Sequence, residues 1–482
     1  MKLNKSLLTC AVITALGLNQ SAFAAEESKQ AINPIQSDVL VDYVGNVMIV
    51  SQTSQTGAII GNEVSLFQEG DVNGISASLN GDGNETEVTQ FGSSNIAITN
   101  SAGDANVQLV NQDGENNKLQ IDSIGDSNVI EVTQSGVGYI GIGNKVISKV
   151  EGGSNEVTIV QNEGGHWLYN SNMEGSDNAL VTTQSGRWNE IFLDNVVGDG
   201  NNIEIEQDGY WNTVKVADLQ GSSNELSFEQ DGDRNKITVA EVIGDENEIS
   251  VDQEGERNQV ESDIFMGAGN EVAIRQVNDN NTASFDVIGD GNELTMIQNG
   301  NDNKSYVGAI GSNNEFAVMQ LGDLNETHVV NFNGSGNDVD ISQAGDENVA
   351  LVQASAEDNS LTTDSNDIDV RQAGDMNDVV VTMSTILDSN SNMLDITQDG
   401  DLNSLDILIE GSSHNIIIGQ FGSDNLITGV DSDSMLIGGA GIELSINQTG
   451  EGNIVAGSVI SASGTIEITQ VGDWNTATIV QQ

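Results

Sequence analysis

The chain has 482 residues with 54 glycines, a single proline, 4% aromatic residues, and 14 basic against 74 acidic side chains, for a formal net charge of −60. That charge disfavours nucleic acid and anionic lipid as partners, because both need a cationic face. High charge with few aromatics can signal disorder, but here the apolar residues alternate in step with an internal repeat, which predicts a folded chain.

Residues 1–24 read as an export signal: a short basic start (MKLNK), an apolar core (SLLTCAVITALGL) and a small-residue cleavage site, SAFA, ending at Ala24. The apolar core is too short to span a bilayer, and no later stretch resembles a transmembrane helix. Cleavage would remove Cys10, the only cysteine, so the mature chain is expected to carry no thiol or disulfide chemistry. The next segment, residues 25–60, holds Pro34 and no clear repeat.

From residue 61 to 482 one phrase recurs, Q-x-G-x-x-N. It is intact at Gln68, Gln90, Gln112, Gln184, Gln207, Gln230, Gln253, Gln298, Gln320, Gln343, Gln372, Gln398, Gln420, Gln448 and Gln470. Gln134, Gln161 and Gln276 hold the same place in a damaged phrase. Of the 17 intervals between these glutamines, 13 are 22 or 23 residues, and the other four, 26 to 29, read as loop insertions. Each period is double: Asn224, Leu226, Phe228 and Gln230 alternate with polar residues, and Asn235, Ile237 and Val239 do so again. Period-two alternation predicts strands. Between them, glycine supplies positive φ and asparagine both tolerates it and bonds its own backbone.

One period is therefore strand, turn, strand, turn. Stacked periods predict an all-β, two-sided β-solenoid of about 18 rungs, cross-β and amyloid-like, roughly 85 Å long at about 4.8 Å per rung. A three-sided coil could use a similar number of residues, but half-period turns favour two sides. Stacking would turn each inward amide into a column bonded above and below. The structural ladder expected comprises the fifteen glutamines above with Asn73, Asn95, Asn212, Asn235, Asn258, Asn325 and Asn348; the turn glycines are Gly70, Gly92, Gly186, Gly209, Gly232, Gly255, Gly322 and Gly345. The last rung, QVGDWNTATIVQQ, shows no polar cap, although solenoids normally need one.

This unit resembles the curlin repeat of the curli subunits, over roughly residues 60–482. The resemblance implies a secreted bacterial protein that polymerises into cross-β fibres of the biofilm matrix. It also implies export through the periplasm, passage of an outer-membrane pore, a nucleator as partner, and a secretion-targeting leader at residues 25–60. The chain departs from the family in the return strand, where a second glutamine is usual. Those places hold Leu79, Ser101, Ser123, Asn195, Asp218, Glu241 and Ile264, so one amide-rich ladder is expected rather than two. It also has many more rungs than a typical subunit.

Glu225, Glu248, Glu271, Glu293 and Glu315 recur at one place in five successive rungs and predict an outward column. Neighbours about 4.8 Å apart repel by roughly 0.9 kcal/mol even in water. The column is either a solvated, aggregation-delaying face or a cation site screened by Ca²⁺ or Mg²⁺, with Asp245, Asp290 and Asp323 adding to its field. No resident cofactor is expected. Trp188, Trp211 and Trp474 each precede a motif asparagine, where turn packing is expected ahead of sugar contact. His166, His328 and His414 lack ligand-spaced companions for zinc. No catalytic triad, Walker loop or dinucleotide fingerprint occurs in a suitable context, so no enzyme activity is expected. The leading expectation is a self-assembling extracellular fibre protein. The alternative is a monomeric acidic solenoid serving as a surface adhesin for divalent cations or glycans.

Overall fold

The computed structural model describes residues 45–54, 61–137, 142–354, 361–430 and 433–481. The signal segment, and the leader apart from residues 45–54, lie outside these. The chain divides into two units, residues 1–224 and 225–482. Each is a two-sided parallel β-solenoid built from one sheet of glutamine strands and one of return strands.

In the first unit seven glutamine strands run from Glu63–Asp71 to Asn202–Tyr210, and eight return strands from Val47–Thr53 to Thr213–Gln220. In the second, eleven glutamine strands run from Glu225–Asp233 to Gly464–Val471, with return strands ending at Thr476–Gln481. The chain thus makes about 18 turns. Two sheets rather than three exclude the three-sided coil. The strand Val47–Thr53 pairs in parallel with Gly74–Asn80, so the return sheet reaches into the segment assigned by sequence to the leader.

Each strand forms because alternate side chains face opposite sides of the sheet. Leu226 and Phe228 are 1% exposed, whereas Glu225, Ser227 and Glu229 between them face solvent. The inward faces of the two sheets meet in a buried seam. In the second unit, aromatic rings fill it edge to face, with Phe265 and Phe285 centroids 6.1 Å apart and Phe316 and Phe332 5.9 Å apart.

The 22- and 23-residue periods have different return strands. In 22-residue rungs such as Thr282–Ile288 the burial alternates without interruption. In 23-residue rungs the extra residue forms a bulge. Pairing of Trp167–Ser176 with Lys145–Gly153 skips between Asn170 and Met173, and pairing of Lys304–Ile310 with Glu326–Asn333 shifts between Val307 and Ala309. Bulged strands stack on bulged strands, as Asn172 on Asn195 and Asn195 on Asp218. The bulge moves the next inward place one residue on, so Val196, Leu219, Val242 and Phe265 are buried while Asn195, Glu241 and Ile264 are exposed.

Candidate functional site: the amide ladders

Each motif glutamine ends its strand's inward alternation, and its amide lies against the equivalent amide one turn away. In the first unit Gln68 donates to Gln90 at 2.8 Å, Gln90 to Gln112 at 2.6 Å and Gln112 to Gln134 at 2.7 Å. Gln134, Gln161 and Gln184 continue the ladder to Gln207 at 2.8–2.9 Å. In the second unit Gln230, Gln253, Gln276, Gln298, Gln320, Gln343, Gln372, Gln398, Gln420, Gln448 and Gln470 form one chain of bonds, from 2.8 Å at Gln230 to 3.0 Å at Gln448. The second amide proton goes to the return strand, as from Gln90 to the Gly74 carbonyl at 3.2 Å. Burial of these polar groups is tolerable because within the ladder both protons and the oxygen are used; the oxygen of Gln68, which begins it, has no partner among the described residues.

The motif asparagines form a second rail. The Asn95 backbone N–H donates to Asn73 Oδ1 at 3.0 Å, Asn212 to Asn189 at 2.9 Å, Asn258 to Asn235 at 2.9 Å and Asn348 to Asn325 at 3.0 Å. Most amide nitrogens then reach a turn glycine of the next rung, as Asn73 to Gly92 at 2.9 Å, Asn235 to Gly255 at 2.8 Å and Asn325 to Gly345 at 2.8 Å, while Asn258 reaches the Asn278 carbonyl at 2.7 Å.

The asparagine does not itself adopt positive φ, as the sequence reading expected. The residue before it does, whatever its type: Val72 at 60°, Trp188 at 64°, Leu324 at 59°, Met376 at 57°. The asparagine is a buried cross-rung connector whose amide also bonds the carbonyl four residues back, as Asn95 to Phe91 at 2.9 Å.

The turn glycines are required twice over. Gly70, Gly92, Gly186, Gly209, Gly232, Gly255, Gly322 and Gly345 all have φ between 87° and 121°. A Cβ on Gly70 would lie 1.9 Å from the Gly92 carbonyl oxygen, and one on Gly232 2.2 Å from that of Gly255.

Three groups escaped sequence reasoning. A second asparagine rail runs through the half-period turns: Asn106 donates backbone and side-chain N–H to Asn84 Oδ1, both at 3.0 Å, and Asn314 does the same to Asn292. Its signal was the asparagine ending each half-period G-x-x-N phrase, of which the sequence reading placed Asn224 inward but named none in the ladder. Turn aspartates accept backbone N–H bonds across rungs: Asp290 from Ala268 at 2.9 Å, Asp323 from Asn301 at 2.7 Å and Asp346 from Asp323 at 2.9 Å. Finally, two histidines stand in asparagine places. His166 Nδ1 accepts from Asn189 N–H at 3.4 Å while Nε2–H donates to the Asn162 carbonyl at 2.7 Å. His414 Nδ1 accepts from Ile442 N–H at 3.3 Å. Burial lowers the pKa of both.

The glutamates stack in register: Glu225 on Glu248, then Glu271, Glu293 and Glu315, and all face solvent. The column continues through Asp338 to Asp367, beside a second column of Asp340, Asp369 and Asp395. Asp338 and Asp369 have raised pKa values, first from burial and then from neighbouring carboxylates, although Arg371 opposes the rise at Asp369. Among the described residues no three His, Cys, Asp or Glu side chains gather into a set that could hold a metal ion.

Trp188 stacks on Trp211 with centroids 5.5 Å apart and planes 12° from parallel. Trp188 also lies over Gly165, and Trp474 over Gly452. Their ring faces are thus turned along the stack.

Five stretches of the chain, residues 61–92, 175–209, 221–255, 289–322 and 389–428, match the model of the Curlin associated repeat. No curated protein matches the chain.

Proposed function

The chain belongs to the curlin-repeat family, and from that premise we propose that it is a secreted structural protein that self-assembles into extracellular, curli-like fibres of a biofilm matrix. One observation carries the reading. The glutamine bonds that join one turn to the next recur from rung to rung within each unit, and among the described residues the strands Gly464–Val471 and Thr476–Gln481 are each paired on one side, with Ile442–Thr449 and Ile454–Ser461. An unpaired strand edge is a template for another chain. Val471 and Val480 at that edge are 72% and 61% exposed. The partners of this reading are further copies of the chain, a nucleator and an outer-membrane pore. Residues 1–24 would act as the export signal and the leader as the targeting segment. No cofactor is invoked; Ca²⁺ or Mg²⁺ would act only by screening the acidic columns.

The test uses the chain from Ala25 onward. Thioflavin fluorescence should rise after a lag, preformed fibres should abolish the lag, and aligned fibres should diffract at the strand and sheet spacings of about 4.8 and 10 Å. A preparation that stays monodisperse with and without seeds would remove the proposal and leave the monomeric adhesin.

A further inference from the structure

The first unit holds eight return strands but seven glutamine strands. The surplus is Val47–Thr53, which pairs with Gly74–Asn80 and, among the described residues, has no glutamine strand opposite it. Its inward side chains are accordingly open. Met48 and Val50 are 44% and 41% exposed, whereas Ile75 and Ala77, on which they stack, are 0% and 1%. Across the seam, Val64, Leu66 and Gln68 of the first glutamine strand are only half-buried, whereas Thr86, Val88 and Gln90 of the next are fully buried. Gln68 Oε1 has no donor among the described residues. These five residues line an open slot one strand wide, along the edge of Glu63–Asp71.

The slot specifies its occupant. The strand edge demands a further strand, Val64 and Leu66 demand apolar side chains at alternate places, and Gln68 demands an amide donor two places on. Gly464–Val471 of a second copy supplies all three. Its Ile466, Ile468 and Gln470 have the required spacing, and its outer edge is unpaired among the described residues. Gln470 accepts from Gln448 and gives one amide proton to the Ile454 carbonyl at 3.1 Å, which leaves the other for Gln68. Such a joint carries the glutamine ladder from one copy into the next with its donor-to-acceptor direction kept. One strand is then in the way. The second copy's Thr476–Gln481 follows Gly464–Val471 and belongs opposite it, in the place that Val47–Thr53 fills. The two strands match in sequence: Asn46, Met48, Val50 and Gln52 against Asn475, Ala477, Ile479 and Gln481. Glutamine six residues after the motif asparagine occurs in these two return strands and in no other. Asn46 also accepts the Asn73 backbone N–H at 2.9 Å, the bond Asn475 would make in its stead.

We propose that Val47–Thr53 is a placeholder strand: it holds the seat of a second copy's Thr476–Gln481 and leaves when that copy's Gly464–Val471 fills the slot. The inference rests on the assembly reading and adds to it the receiving surface, the direction of growth and a strand release at each joint. Release gives up little inward burial, because Met48 and Val50 are already exposed. Direct stacking of Val47–Thr53 on Thr476–Gln481 would instead leave the slot empty and two glutamine-strand edges unpaired inside the joint, which is costly.

A reversible lock tests this. Ser51 and Ser78 are register partners on neighbouring strands, within reach of a disulfide, and Cys10, the only cysteine, lies upstream of Ala25. The chain from Ala25 with Ser51→Cys and Ser78→Cys therefore carries two thiols that tie the placeholder down when oxidised. Growth on seeds of the unsubstituted chain should be several-fold slower oxidised than reduced. Removing residues 476–482 takes away the competing strand, so the oxidised and reduced forms of that shortened chain should grow alike. Equal rates for the oxidised and reduced full-length forms overturn the placeholder in favour of direct stacking. A shortened chain that the lock still slows overturns it as well, because the lock then acts without a competitor. Should the shortened chain lose its β-sheet circular dichroism, Val50→Pro decides. It weakens the placeholder strand and should speed seeded growth several-fold; equal or slower growth overturns the proposal. No growth in any form, reduced included, would instead remove the assembly reading itself.

Discussion

Gln420 accepts from Gln398 at 2.7 Å and donates to Gln448 at 3.0 Å. Replacing it with leucine leaves the Gln448 oxygen without a donor and the Gln398 amide with only the Asp378 carbonyl. Gln420→Leu should therefore cost about 1–3 kcal/mol for each buried group left unpaired, read from urea unfolding. Gly345→Ala meets two penalties: φ is 119°, and the new Cβ would lie 2.1 Å from the Gly374 oxygen. It should cost more than Gly441→Ala, where φ is 63° and nothing lies within 4 Å; the latter pays only left-handed strain, about 1–2 kcal/mol. His166 carries a pH dependence. Burial holds its folded pKa below the ordinary histidine value of 6.5, so above pH 6.5 it is neutral in both states. Below that, the unfolded ring takes up a proton that the folded ring resists, because burial disfavours the charged ring and a protonated Nδ1 would face the Asn189 N–H. Stability should fall as pH drops below 6.5, and His166→Asn, which restores the motif residue, should remove that component of the pH profile. The glutamines were legible because they recur intact. The histidine role was not, because a ladder place is defined by what lies one turn away.

At the level of strands and loops, the difference between a 22- and a 23-residue period is the bulge in the return strand, and its sequence trace is two polar residues between inward places, as Asp194 and Asn195 between Leu193 and Val196. The insertion after Met383 is held by Glu410, a 5% exposed carboxylate. It accepts backbone N–H bonds from Thr385 at 2.9 Å, Ile386 at 3.0 Å and Leu387 at 2.7 Å. Glu410→Ala should cost about 1.5–3 kcal/mol per charged bond that water does not replace, and should open residues 384–389 to hydrogen exchange and proteolysis. Nothing in the local sequence marks Glu410, because its partners are 23–25 residues distant. In the acidic columns the sign is opposite to that of the histidines. Asp338 has a raised folded pKa, so its ionised form is disfavoured by folding, and stability gains as pH falls from neutral towards the ordinary carboxylate value. Asp338→Asn should therefore stabilise the chain at pH 7 by up to about 1 kcal/mol, less at high salt. That gain should vanish near pH 4; a gain that persists there would show that repulsion is not its source.

For the molecule as a whole, the question is whether turns stack only within a chain or also between chains. Val471→Lys and Val480→Lys place charge on the exposed terminal edge. They should slow seeded growth while leaving the monomer's circular dichroism unchanged; unaltered growth would move the contact elsewhere. The sequence by itself determined the all-β class, the two-sided turn, the inward glutamine and the number of rungs, because each is a periodic constraint that every copy repeats. The backbone donors to the asparagine rails, the histidines within them and the Glu410 loop anchor were decided only by tertiary structure. Each depends on residues one turn apart along the solenoid, 22 or more positions away in the chain, where local pattern carries no record of the partner.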